Sequence, residues 1–94
     1  MHFAIECTDK PGSLDLRVAT RPAHIEYLDS QVAHIACAGP ILDAEGKNPV
    51  GSLLVVEFPD LAAAQAFADA DPYAEAGLFA NVTIRPFRLV YPKA

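Results

Sequence analysis

At 94 residues, 52% of them hydrophobic and 20% charged, the chain has the composition of one globular domain and not of a disordered segment. A net charge of −5 without any lysine or arginine cluster argues against nucleic-acid binding, which depends on basic side chains displacing counterions. No apolar run approaches the ~20 residues that span a bilayer, and the opening MHFAIECTDK lacks a basic, cleavable leader, so one cytoplasmic domain over 1–94 with no membrane contact is expected.

In chain order, His2 to Cys7 is a β-compatible run closed by the turn residues Asp9-Lys10-Pro11-Gly12. From about Thr20 to Ala33, Ile25, Leu28 and Val32 recur at helical spacing opposite Glu26, Asp29, Ser30 and Gln31, which predicts an amphipathic helix with those three residues buried. Pro22 is tolerated in a first turn or at a kink, so the helix start stays open and Leu14 to Ala19 is available for a preceding helical turn. Ile35 to Ala38 runs into Gly39-Pro40 and Ile41-Leu42, then into the turn-rich stretch Asp43 to Pro49, reading as a strand and a hairpin connection. Ser52 to Phe58 is nearly continuously apolar, which predicts a central strand buried on both faces. Asp60 is an N-cap for the alanine-rich helix Leu61 to Ala70. Asp71-Pro72 opens a short turn through Gly77, and Val82 to Arg85 alternates as a half-exposed strand, with Pro86 marking an edge or a bulge.

The order β-α-β-β-α-β predicts an α+β, ferredoxin-like fold: a four-stranded antiparallel sheet with both helices on one face. The opposite face needs a cover, and a two-fold homodimer with sheets packed face to face supplies one.

Nucleotide-binding glycine motifs, a P-loop, HExxH and GxSxG are all absent. Cys7 and Cys37 lie in apolar segments without CxxC spacing, which predicts two buried free thiols. His2 and His34 have no spacing to the cysteines or to His24 that resembles a metal-ligand set, so no metal and no cofactor are expected.

The polar residues that need explaining are His24, Asp71, Arg17, Arg21, Ser52 and Tyr73. His24 precedes Leu28 by four residues and sits at the margin of the buried stripe, where its imidazole is either satisfied by a backbone carbonyl or used as a general acid or base. Asp71 before Pro72 fits a helix N-cap, and the same carboxylate has lone pairs enough to orient His24 as well. Arg17 and Arg21 lie one turn apart if the helix extends that far back, and present cations either to solvent or to an anionic substrate. Ser52 at a strand start and Tyr73 either bond a ligand or pack.

Taken together, an arginine followed by Pro22-Ala23-His24 and Tyr27-Leu28, then Ala38-Gly39-Pro40, Gly51-Ser52, and Asp71-Pro72-Tyr73 with Ala76-Gly77-Leu78-Phe79, resembles the YciI-like (YCII-related) family over residues 1–92. The resemblance implies a dimeric α+β barrel built from ferredoxin-like protomers, with a pocket between sheet and helices holding a His–Asp pair that maps onto His24 and Asp71. It also implies kinship with a dehydrochlorinase of a chlorinated hydroxyhydroquinone and, in the wider superfamily, with muconolactone isomerases and small monooxygenases. One departure is the stretch Gln31 to His34, which lacks the glycine often found near that helix end in relatives.

Two functions compete on this reading. One is a cofactor-independent lyase or isomerase in which His24, oriented by Asp71, moves a proton on a small anionic, aromatic or lactone-like substrate held by Arg17 or Arg21 and positioned by Ser52 and Tyr73. The alternative is a noncatalytic metabolite-binding or assembly module of the same fold. A haem or flavin monooxygenase, resting on the superfamily alone, is a weaker third.

Overall fold

The computed structural model describes residues 1–92; the last two positions of the expected 1–94 domain lie outside the described residues. Strand β1 (His2–Asp9) is followed by helix α1 (Leu14–Ser30), a single 3₁₀ turn (Val32–His34), strands β2 (Ile35–Leu42) and β3 (Pro49–Glu57), helix α2 (Leu61–Asp69), the short helix α3 (Pro72–Glu75) and strand β4 (Phe79–Phe87). The sheet order is β2-β3-β1-β4 and every neighbouring pair is antiparallel. That is the ferredoxin-like arrangement expected, with one extra helical turn after α2.

The period-2 alternation of strands decides which side chains meet the helices. On β1 these are Phe3, Ile5 and Cys7, paired across the ladder with Val56, Leu54 and Ser52 of β3. Phe3, Ile5, Cys7, Leu54 and Val56 join Ala64 and Phe67 of α2 as the core, and Tyr27 and Leu28 of α1 pack against its edge. The central strand is β3, as its apolar run predicts, but burial on its outer face is uneven: Val55 is buried while Leu53 is 39% exposed. Both prolines of the flanking strands fall on sheet edges, Pro40 in β2 and Pro86 in β4, where a missing N–H removes no ladder bond from a central position. Consequently β2 runs straight through Gly39-Pro40 instead of ending there. Gly51 marks the closest approach of β3 to β1, since a Cβ there would collide with the carbonyl oxygen of Cys7.

Three expectations are corrected. The helix begins at Leu14, and Pro22 lies in its interior. Its ring denies the Val18 carbonyl the usual partner, but Pro22 and Val18 face outward, where water can take that bond. The stripe predicted from Ile25, Leu28 and Val32 is not the buried face: Ile25 is 38% and Val32 71% exposed, and the fully buried residues of α1 are the polar Arg17 and His24. Finally, Cys7 is buried but Cys37 is exposed, because it pairs with Val55 on the face away from the helices and on an edge strand. The glycine-free end of α1 is accommodated without a left-handed residue: Gln31 has φ −113° and the chain passes through the 3₁₀ turn into β2.

No helix is long and apolar enough to cross a membrane among the described residues.

Candidate functional site

Helix α1 packs on the core through Tyr27 and Leu28 near its C-terminus, and between Arg17 and Leu28 it roofs a cavity of about 230 Å3. Arg17, Arg21, His24 and apolar side chains of α1 form the roof; residues 38–40 of β2 and Pro49, Ser52 and Leu54 of β3 form the floor; Tyr73 closes the back. A volume below the ~300–1,000 Å3 of sites for drug-sized ligands restricts the occupant to a small molecule of about one ring. The walls are predominantly apolar, and none of the lining residues is acidic.

Two turns of helix separate Arg17 from His24, so both project from one face toward the sheet. His24 Nδ1 lies 2.8 Å from Asp71 Oδ1. The same oxygen accepts the backbone N–H of Tyr73 at 2.9 Å, which makes Asp71 the N-cap of α3 with Pro72 in the first helical position. The structural and the functional readings of Asp71 therefore coexist on one atom. At the other end α3 closes in a Schellman turn: Leu78 N–H donates to the Tyr73 carbonyl, Gly77 N–H to that of Ala74, and Gly77 takes φ +76°, which its lack of a Cβ permits. Lys10 N–H then donates to the Leu78 carbonyl at 2.9 Å and ties this corner to the end of β1. Both ends of the corner carrying Asp71 and Tyr73 are thus fixed by hydrogen bonds.

With Nδ1 engaged, His24 has one ring nitrogen left. Nε2 makes no hydrogen bond, and no buried side-chain nitrogen or oxygen among the described residues lacks a partner, so Nε2 must reach solvent, which it can do through the cavity that His24 lines. The Tyr73 ring stacks under the imidazole, centroids 4.0 Å apart and planes within 19°. Arg17 lies over the same tyrosine ring at 4.6 Å.

Arg17 is far from the solvated residue that its sequence position allowed. Its Nε donates to Asp9 Oδ2 at 2.7 Å, and Nη2 donates to Asp9 Oδ1 at 2.9 Å and to Ser52 Oγ at 2.8 Å. Burial works against this charge, yet the hydrogen bond and charge of Asp9 outweigh it and hold the guanidinium above its ordinary value. Burial also pushes the Tyr73 phenol up, with Arg17 and Arg21 pulling it back. Cys7, beneath the site, is pushed up to about 12 by burial first and by the charge of Asp71 second, which keeps it a protonated thiol. No group of three or more metal-ligating side chains occurs among the described residues.

All six residues singled out from the sequence meet here: five line the cavity and Asp71 stands behind His24. Asp9 is the member that the sequence reading missed, since Asp9-Lys10-Pro11-Gly12 looks like a turn. The available signal was the alternation Phe3, Ile5, Cys7, which continued by two puts the Asp9 carboxylate on the helix side. At that residue the β1–β4 ladder shifts register, as strands commonly do beside functional sites.

A family model described as the YCII-related domain matches residues 1–88. The chain belongs to the YCII-related family. Protein YciI of Escherichia coli O6:H1 is 39% identical to it over 100 residues, spanning 97% of this chain and 100% of that one. Among solved structures, 5-chloro-2-hydroxyhydroquinone dehydrochlorinase of Burkholderia phenoliruptrix, in complex with 2,5-dihydroxybenzoquinone, superposes with a TM-score of 0.88 at 35% identity over 94% of each chain. An antibiotic biosynthesis monooxygenase at 16% identity and a TM-score of 0.55, covering 94% of this chain and 97% of its own, shares with this YCII-related protein the fold alone.

Proposed function

We propose that the cavity is the active site of a cofactor-independent enzyme of the lyase or isomerase type, acting on a small, oxygenated, anionic ring. The observation that carries this reading is the 2.8 Å contact of His24 Nδ1 with Asp71, which leaves Nε2 as the free nitrogen of a residue lining the cavity. Nε2 takes a proton from the substrate, and the released electron pair forms a new double bond as a second bond breaks. Either the C–Cl bond breaks, chloride leaves with its electron pair and the imidazolium returns its proton to water, or an existing double bond shifts and its electron pair takes the proton back at a different carbon. Asp71 holds the tautomer that presents Nε2 as a base and stabilises the imidazolium once formed. Tyr73 and Ser52 position the substrate in an apolar pocket of about one ring's size. Similarity to a dehydrochlorinase that binds 2,5-dihydroxybenzoquinone supports the ring-shaped substrate and the elimination chemistry.

The same reading takes the protein as a homodimer. The helices cover one face of the sheet, and the other exposes Leu53 and Ile41 to about 40% each. A second copy packed sheet to sheet buries both, and elution as a monomer at micromolar concentration would count against it.

The activity is tested by chloride release from chlorinated hydroxyhydroquinones. His24→Ala is expected to abolish turnover with an unchanged circular-dichroism spectrum. Saturable ligand binding by the wild type without any product would instead favour a metabolite-binding module.

A further inference from the structure

The two arginines that line the cavity are electrostatically unlike. Arg17 is tied through Nε and Nη2 to both oxygens of Asp9, with Nη2 also on Ser52, and its side chain and that of Asp9 are 5% and 7% exposed. A sealed bidentate pair has no net charge, so an anion drawn to this guanidinium is also repelled by the Asp9 carboxylate beside it and gains less than from a free arginine. Arg21, one turn further along α1, is exposed at the cavity, and makes no ion pair or hydrogen bond. No acidic side chain lines the cavity with it, and Asp71 stands behind His24, so Arg21 is the lining cation without a carboxylate of its own. Three residues on from Arg21, His24 occupies the same helix face, with Cβ atoms ~5–6 Å apart at such spacing.

We propose that Arg21, and not Arg17, selects anionic ligands for the cavity, and that Asp9 is a positioning residue that neutralises Arg17 and holds it over the Tyr73 ring. The proposal rests on the cavity being the ligand site assigned above, and not on turnover there. It fixes the substrate class further: the anionic group lies toward Arg21, within one helical turn of the proton that His24 removes, and the neutral part of the ring lies against Tyr73 and the apolar floor. A negative charge at the opposite end of the molecule would face the Arg17–Asp9 pair, whose carboxylate offsets much of the attraction, and gain less.

The experiment is a visible-absorption titration with 4-nitrophenol, whose phenol and phenolate forms absorb at different wavelengths, so that both affinity and the form bound are read at once. Wild type is expected to take up the phenolate, more weakly as salt is added. Arg21→Gln is expected to lower the affinity for the phenolate by ~10-fold or more, as loss of one charge-assisted contact does, with Arg21→Lys recovering part of it. Asp9→Asn is expected to tighten phenolate binding, because it releases the charge of Arg17 into the cavity; a merely structural Asp9 would weaken binding or leave it alone. Asp9→Glu should restore wild-type affinity. Undiminished binding by Arg21→Gln, or no phenolate binding by wild type, overturns the proposal even if Asp9→Asn fails to fold. Phenolate binding through Arg21 in a protein that turns over no chlorinated substrate leaves the proposal standing and sinks the catalytic reading instead.

Discussion

Replacing Asp71 by asparagine and by alanine separates what its shape does from what its charge does. One oxygen, Oδ1, accepts from both Tyr73 N–H and His24 Nδ1, and Oδ2 makes no hydrogen bond. Asparagine keeps an acceptor in the Oδ1 position and displaces no bond with its amide nitrogen, so Asp71→Asn should cost under ~1 kcal/mol of stability. Alanine removes the cap, worth ~1 kcal/mol, and strands the Nδ1–H of a histidine that is 8% exposed, which costs about 1–3 kcal/mol more. For a domain of this size each kcal/mol moves the melting temperature by ~4–8 °C. The alanine variant should therefore melt ~8–32 °C below wild type and the asparagine variant within ~8 °C of it. Turnover should order differently, since both variants lack the charge that stabilises the imidazolium, and asparagine should already lose ~100-fold to 10,000-fold. Calorimetry and a chloride-release assay on the same preparations read the two effects. Equal melting temperatures for the two variants would refute the shared-oxygen argument, and wild-type turnover in Asp71→Asn would refute the role of the charge.

Further tests concern the cysteines. Native protein should show one fast-reacting thiol with Ellman's reagent, Cys37, and release the second only on unfolding; in a sheet-to-sheet dimer Cys37 lies on the covered face, so its reaction should accelerate on dilution. Because the Cys7 thiol is raised from 9.0 to about 12, only the unfolded chain ionises it as pH climbs through that interval. Stability should thus be lost between pH 9 and about 12, by up to ~1.4 kcal/mol per pH unit. Comparing the alkaline slope of melting temperature in wild type and Cys7→Ala isolates this contribution from Tyr27 and Tyr73, whose phenols are also raised; identical slopes would contradict it.

The fold was legible because each element carries its own signal: alternation in β1, a continuous apolar run in β3, Asp60 accepting from Ala63 N–H at 2.9 Å at the head of α2, and prolines on the two edge strands. What failed was the reading of α1, and the failure is informative. Helical periodicity assumes that the apolar face is the buried face, yet the buried positions of α1 are Arg17 and His24, and apolar Val18, beside the cavity, is 61% exposed. A cavity inverts the rule, since the polar residues around it pair with one another instead of joining the apolar core. Asp9 escaped notice because its partner is eight residues away across a turn and its pairing requires the helix to begin at Leu14. The six residues around the cavity stood out in the sequence as polar groups needing an explanation, and all but Arg17 also fall in the family pattern, whereas their distances depend on the Asp71–Gly77 corner, whose geometry no single residue announces.

The inverted helix also bears on how such a protein diversifies. The apolar core lies beneath α2 and the C-terminal half of α1, whereas the roof of the cavity is fastened mainly by the Asp9–Arg17–Ser52 and His24–Asp71 contacts. Val18, Ile25 and Arg21, which line the cavity, are exposed and lie outside the apolar core cluster. Mutations there can change which molecule enters with little loss of folding stability, so lineages sharing these anchors are free to drift in what the cavity admits while the scaffold and the His24–Asp71 contact stay put.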